Sequence, residues 1–396
     1  MSYIRVSYLT EAKNLEQKAE SVAVGMTVGS WTDLPAAKKE TLQGHLGKAA
    51  GSHILSHTED GLERGIIKVD YPVANFTYDI PSLLTTVFGK LSMDGKIKLV
   101  DIDVPESFSS HFSGPKFGIQ GVRQRLNIQD RPLFMSIFKS CIGLPLNELV
   151  EQFKFQVEGG VDLVKDDEIF FPDERAPFFD RIEAYREVIQ QSGREVLYAV
   201  NLTGPVTELV DKAKRAIDKG ANCLLLNVLP YGFDILSELS RHPDIQVPIM
   251  AHPALAGAFY PSPDYGIAAP LILGKLMRLA GADLVLFPSP YGSVALPREE
   301  ALSIATALTE EKPGLLPSFP VPSAGIHPGM VPVLSRDFGL DHIVNAGGGI
   351  HGHPDGPVAG GQAFVAAIKA TQSGIPLEEY DNGPLQTAIK KWGVVK

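Results

Sequence analysis

The spacing of apolar residues along this 396-residue chain changes once, near residue 130. Before that point the pattern is mixed. SYIRVSYLT (2–10), GIIKVDYPVA (65–74) and IKLVDIDVP (97–105) alternate apolar and polar residues, the period of a strand covered on one face. AKNLEQKAESVAVGM (12–26) spaces its apolar residues like one face of a helix, and PSLLTTVFGKL (81–91) opens on a proline and suits a helix or turn. Together these segments predict a ferredoxin-like α+β domain of βαββαβ type over residues 1–115. SGPKFGIQGVRQRL (113–126) reads as a connector with a short helix.

From about residue 130 the pattern becomes regular. Strand-like runs fall at 132–139, 161–167, 196–204, 223–230, 247–254, 283–290, 319–327 and 342–350. Helical segments lie between most of them, among them LNELVEQFKFQVEGG, APFFDRIEAYREVIQQSG, VTELVDKAKRAIDKGA and REEALSIATALTEE. Eight such units predict an α/β fold in which residues 116–396 form a (β/α)₈ TIM barrel. An open doubly wound sheet is the other arrangement, but it gives no reason for a polar residue at nearly every strand end.

Barrel chemistry sits at the C-terminal strand ends. Those ends carry Lys139, then Lys165-Asp166-Asp167-Glu168, Asn201, Asn227, His252, Ser289, Ser323, His327 and Gly347-Gly348-Gly349. Asp167 and Glu168 offer the oxygen ligands Mg²⁺ prefers. Lys165 joins such a set only if its neutral amine takes up CO₂ as a carbamate, which burial favours by lowering its pKa. By itself KDDE also reads as a solvated turn or a set of ion pairs. The three glycines let backbone N–H groups approach a phosphate, and the Ser323 hydroxyl and Gly325 amide complement them; a plain tight turn is the alternative. His252 is either a packed ring or a substrate contact. The HGHPDG run at 351–356 reads as a structural turn, and Lys139 as a phosphate or carbonyl contact or an ion pair to the carboxylates.

Composition narrows the class of partner. Hydrophobic residues make up 44% and charged residues 21%, with a net charge of −10. That balance suits a soluble globular protein and argues against nucleic acid or an anionic membrane as a partner, while leaving room for a phosphorylated small molecule. Two cysteines without a Cys-x-x-Cys make a disulfide framework unlikely and a reducing, cytoplasmic setting the expectation. The polar N-terminus has no signal-peptide core, and no run reaches the ~20 apolar residues of a membrane span.

GGVDLVKDDE, SAGIH, NAGGGIHGHP and VGSWTDLP (28–35), taken together, resemble the ribulose bisphosphate carboxylase superfamily over nearly the whole chain. The resemblance implies Mg²⁺ held by a carbamylated Lys165 with Asp167 and Glu168, and CO₂ as the activator that forms the carbamate. It implies phosphate contacts at Ser323, Gly325, Gly347 and Gly348. The departures imply that carboxylation fails, for want of a cation over the added CO₂. FPSPYGSVALP, after strand six, lacks the lysine the carboxylases carry there. FKSCIG keeps Lys139 but has Cys141 at their second lysine, and Gly25 stands where they have a glutamate.

Together with the motifs above, FGKLS, MSIFK, LYAVNLTG, PIMAHPA and FPSPYGSVAL resemble carboxylase-like members that enolise a phosphorylated diketone in methionine salvage, an isomerase activity. That likeness implies Lys90, in FGKLS, as general base, with Lys139 assisting. It also implies that Lys90, Ser30 and Trp31 reach the barrel of a partner subunit, so that the site lies at a homodimer interface; His252, by its place at a strand end, is expected to contact substrate. An isomerase of a methylthio sugar phosphate and a non-catalytic sugar-phosphate-binding or sulfur-stress protein are the competing readings.

Overall fold

A computed structural model describes residues 2–29, 35–171, 174–294 and 296–396. Four strands, β1 (Tyr3–Ala12), β2 (Lys48–His57), β3 (Glu63–Pro72) and β4 (Ile97–Asp103), form an antiparallel sheet in the order β4-β1-β3-β2. Alternation decides its covered face: Ile4, Val6 and Tyr8 of β1 and Ile67, Val69 and Tyr71 of β3 are fully buried. The helix Leu15–Gly25 covers that face with Leu15, Ala19, Val22 and Ala23, and its start is capped by Asn14, which accepts from the Gln17 amide at 2.8 Å. The order of elements is βαββαβ, as the sequence predicts.

Eight parallel strands form the second sheet: β5 (Leu133–Ile137), β6 (Leu163–Lys165), β7 (Leu197–Asn201), β8 (Cys223–Asn227), β9 (Ile249–His252), β11 (Leu284–Pro288), β12 (Phe319–Ser323) and β13 (Ile343–Ala346). Neighbours follow chain order, and β13 returns to pair with β5, as in a barrel. The two-residue strand between β9 and β11, β10 (Gly266–Ile267), leaves this set and pairs in parallel with β4. It ties the barrel to the first sheet, aided by Lys98, whose ammonium donates to the carbonyls of Tyr260 (2.8 Å) and Ser262 (2.6 Å). Only glycine suits position 266, where φ is +83° and a Cβ would fall 1.9 Å from the Phe259 carbonyl oxygen.

Period two sorts the barrel strands into two layers. Leu163, Leu197, Ala199, Leu225, Met250, Leu284 and Val321 pack together inside, whereas Val164, Tyr198, Val200, Leu226, Ala251 and Val285 belong to the cluster beneath the helices. The N-terminal mouth is closed by the helix Gly118–Leu126 through Ile119, Val122 and Leu126. Asp283 fixes that plug, accepting from the amides of Phe117 (2.7 Å), Gly118 (2.8 Å) and Ile249 (2.9 Å). Asp283→Ala leaves three donors without their acceptor. We expect a loss of about 3 kcal/mol or more, read as a lower urea midpoint at unchanged m-value.

His342 lies fully buried at the same end, with Nδ1 2.8 Å from the Gly339 carbonyl oxygen. Burial holds its pKa down from 6.5 to about 4. The folded pKa lies below the unfolded one, so the unfolded chain binds more protons between these values. Stability from this residue is therefore present above about pH 6.5 and is lost as pH falls toward 4. The full effect is about 3 kcal/mol. Comparing the pH dependence of unfolding with that of His342→Asn isolates it. The opposite contribution of Asp283, which burial raises to about 6, is common to both proteins and cancels.

Candidate active site

The inward layer that is apolar in the barrel becomes polar at its C-terminal rim. Along β6 the alternation that points Leu163 inward and Val164 outward brings Lys165 inward again. The same step brings Asn201, Asn227, His252, Ser323 and Asn345 to the top of their strands. A cavity of about 340 Å³ opens there, lined by Lys139, Lys165, Glu168, His252, Ser323 and Asn345. Ala254, Tyr260, Leu286, Pro288 and Val294 add apolar surface to the same lining.

Lys165 is fully buried. Its ammonium donates to the Asp166 carbonyl oxygen at 2.7 Å and lies 3.7 Å from a Glu168 carboxylate oxygen. Burial lowers its pKa, opposed chiefly by Glu168 and Asp167. Asp167 accepts from Lys139 at 2.8 Å, and Glu168 lies 3.5 Å from His252 Nε2. Two carboxylates thus face one buried amine and are neutralised by lysine. The backbone of the turn is held by amides: Asn201 Nδ2 and Asn227 Nδ2 donate to the Glu168 carbonyl oxygen at 3.0 and 2.9 Å. His252 is held well below 6.5 by burial and then by the charge of Lys165. Its Nδ1 accepts from the Ala254 amide at 3.1 Å, leaving the proton of the neutral ring on Nε2, toward Glu168.

Asp166 points the other way, as an extended chain requires. Its carboxylate accepts from Arg181 (3.1 Å), the Tyr198 hydroxyl (2.7 Å) and the Asn201 amide (2.9 Å). It belongs to the barrel wall. Among the described residues no three His, Cys, Asp or Glu side chains are grouped to hold a metal. The set Lys165, Asp167 and Glu168 fits Mg²⁺ when the lysine supplies carbamate oxygens, which gives three anionic oxygen donors on one turn.

The phosphate candidates lie on neighbouring strand ends. Ser323 Oγ donates to the Val321 carbonyl oxygen at 2.8 Å and accepts from Asn345 Nδ2 at 2.8 Å, so its proton is engaged within the barrel. Ala324 and Gly325 follow with φ of +75° and +71°. Gly347 makes room for Lys139, whose Cε would lie 2.9 Å from a Cβ there, and Gly348 faces open space. Gly348–His351 is a short helix whose first amides have no acceptor within the helix. His351 Nε2 meets the Ile137 carbonyl oxygen and His353 Nε2 that of Pro384, both at 2.9 Å, which accounts for the HGHPDG run as structure.

Lys90 is not at this mouth in its own subunit. It is exposed, directly after a π-helical turn (Thr85–Gly89), and lines a cavity of about 390 Å³ with Lys18, Val22, Gly25, Met26 and Asp94. Ser30 and Trp31 lie outside the described residues. Asn345 was missed by sequence reasoning. The alternation along IVNA, with Ile343 inward, marks it, but the adjacent glycines drew attention. Cys141 is buried and its thiol is pushed up to about 11, so it stands as an inert packing residue.

Models of known families match the chain in both parts. The ribulose bisphosphate carboxylase large chain N-terminal domain covers residues 7–108, and the catalytic domain covers 118–292 and 298–392. A 2,3-diketo-5-methylthiopentyl-1-phosphate enolase of Geobacillus thermodenitrificans is 54% identical over 100% of this chain and 99% of its own. The enzyme of that name from Bacillus cereus strain Q1 is 51% identical over 99% and 98%. Among solved structures, a rubisco-like protein of Alicyclobacillus acidocaldarius superposes with a TM-score of 0.94 at 52% identity, covering 99% of this chain and 100% of that one. The octameric carboxylase of Pyrococcus horikoshii gives 0.90 at 29% identity over 100% and 94%. Strand-end chemistry, two-domain topology and family match agree: the chain belongs to the ribulose bisphosphate carboxylase large-chain family.

Proposed function

We propose that this protein converts 2,3-diketo-5-methylthiopentyl-1-phosphate to 2-hydroxy-3-keto-5-methylthiopentenyl-1-phosphate, a step of methionine salvage in the cytoplasm, without carboxylating its substrate. The observation that carries this reading is the buried amine of Lys165 close to Asp167 and Glu168 at the tip of β6. The curated relatives bearing the enolase name support it along their full length. The apolar part of the cavity lining suits a methylthio tail.

Mg²⁺, held by the Lys165 carbamate, Asp167 and Glu168, supplies when bound a Lewis acid at the carbonyl oxygens. Lys90 takes the C-1 proton, and the electron pair of that C–H bond becomes the C-1–C-2 double bond while the C-2 oxygen gains a proton. Lys139 adds positive charge where oxygen turns anionic. The Ser323–Gly325 turn and the Gly347–Gly348 amides grip the phosphate and hold C-1 over the base. His252 completes the described part of the pocket.

Lys90 lines a cavity built from residues 18–94 alone, which supports a homodimer in which it serves the partner's barrel. The domains divide near residue 115. No helix among the described residues is long and apolar enough to cross a membrane.

Ultraviolet absorbance of the diketone tests this reading. Enzyme with Mg²⁺ and bicarbonate produces the conjugated enol band, and EDTA abolishes it. A chain that binds the compound without changing its spectrum is the binding protein of the competing reading.

A further inference from the structure

The segment Ser289–Val294, after β11, lies against the turn after β12 through a series of close contacts. The Ser289 amide donates to the Ser323 carbonyl oxygen at 2.8 Å, and Ser289 Oγ accepts from the Tyr291 amide at 3.2 Å. One residue on, a Cβ at Gly292 would fall 1.6 Å from the Ala324 carbonyl oxygen, so the two backbones touch. A Cβ at Gly325 would fall 2.5 Å from the Ser293 amide nitrogen and 3.0 Å from Ser293 Oγ. The turn thus covered holds two successive residues at positive φ, and the first is not glycine. An alanine there is strained and persists only where surroundings fix it.

The covering segment is itself anchored. The Tyr291 hydroxyl donates to Asp337, whose side chain is fully buried. Arg298 grips the same carboxylate through Nε at 2.8 Å and Nη2 at 2.6 Å, and Arg336 Nε lies 3.4 Å from it. Two guanidinium groups and a phenol converge on one carboxylate, joining Tyr291 to the helices Arg298–Thr309 and Val331–Phe338.

We infer that Tyr291 and Gly292 are positioning residues for the phosphate-binding turn Ser323–Gly325: Asp337 anchors the segment through Tyr291, and Gly292 lets it press on Ala324. This rests on the reading of that turn as a phosphate site. Among the described residues no hydrogen bond or ion pair joins Tyr291 or Gly292 to Lys165, Asp167 or Glu168, so loss of the brace acts on phosphate affinity and leaves Mg²⁺ binding intact.

Titration calorimetry of the full-length protein with inorganic phosphate, then with Mg²⁺, tests it. Wild type binds phosphate. Gly292→Ala and Tyr291→Phe weaken that binding by about tenfold, raise KM for the diketone correspondingly, and leave Mg²⁺ affinity unchanged. Tyr291→Phe keeps the ring and is expected to unfold at the wild-type urea midpoint, which separates positioning from folding. Wild-type phosphate affinity in both variants overturns the brace and leaves the phosphate site standing. Absence of phosphate binding in the wild type overturns both. A loss of affinity that only follows a lowered urea midpoint in Tyr291→Phe also overturns the brace.

Discussion

Lys165→Ala is expected to lose Mg²⁺ binding and to lower enolisation by at least about 10³-fold, near 4 kcal/mol of barrier. The fold should survive, because Lys165 pairs Ile137 and Ala199 through its backbone and its side chain joins no apolar layer. The substitution removes one of three donors and leaves Asp167 paired to Lys139, which competes for that carboxylate. Calorimetry with Mg²⁺ and bicarbonate reads the first effect, and circular dichroism checks the fold. In the wild type, ¹³C-bicarbonate should give a carbamate resonance that the variant lacks.

Lys90→Ala is expected to lower turnover by about 10³-fold, the scale of general-base catalysis, with Mg²⁺ and phosphate affinities unchanged. Lys90 is exposed within its own chain, so stability should move little. The two variants together test the shared site. Mixing Lys90→Ala with Lys165→Ala subunits builds heterodimers in which one barrel keeps Lys165 and receives the intact Lys90 of its partner. Activity then returns in the mixture, whereas a site complete within one chain gives no recovery.

Much of the fold was legible in the sequence because its signals are local. The continuous apolar runs in LVK, LYAVN and CLLLN mark strands buried on both sides, and each ends where an inward position turns polar. The strand-two tip was equally legible. Asp166 reads as facing away from Asp167 on period two alone, and its bonds to Arg181 and Tyr198 bear that out.

Elements whose residues answer to tertiary contact were harder to see. The helix Gly356–Gln372 carries glycines that weaken its helical signal. They are required by packing, since a Cβ at Gly360 would fall 2.2 Å from the Ile350 carbonyl oxygen and one at Gly361 2.5 Å from that of Gly159. Val331–Phe338 begins next to a proline and is only 8 residues long, too short for a clear period. β10, with 2 residues, exists only because β4 offers an edge. At the site, an ion pair of Lys139 with the carboxylates was among the readings open in the sequence, and the structure places it on Asp167; the bracing of the Ser323–Gly325 turn joins segments that no local spacing relates.

Removal of a C-1 proton from a phosphorylated diketone at the barrel mouth is read by ¹H NMR of 2,3-diketo-5-methylthiopentyl-1-phosphate in D₂O with enzyme, Mg²⁺ and bicarbonate. With wild type, one of the two C-1 protons should be lost, the methylene signal giving way to a one-proton vinylic signal, while the methylene signal should persist with Lys90→Ala. An unchanged two-proton C-1 signal with wild-type enzyme, while the compound is bound, would show that no proton is removed there.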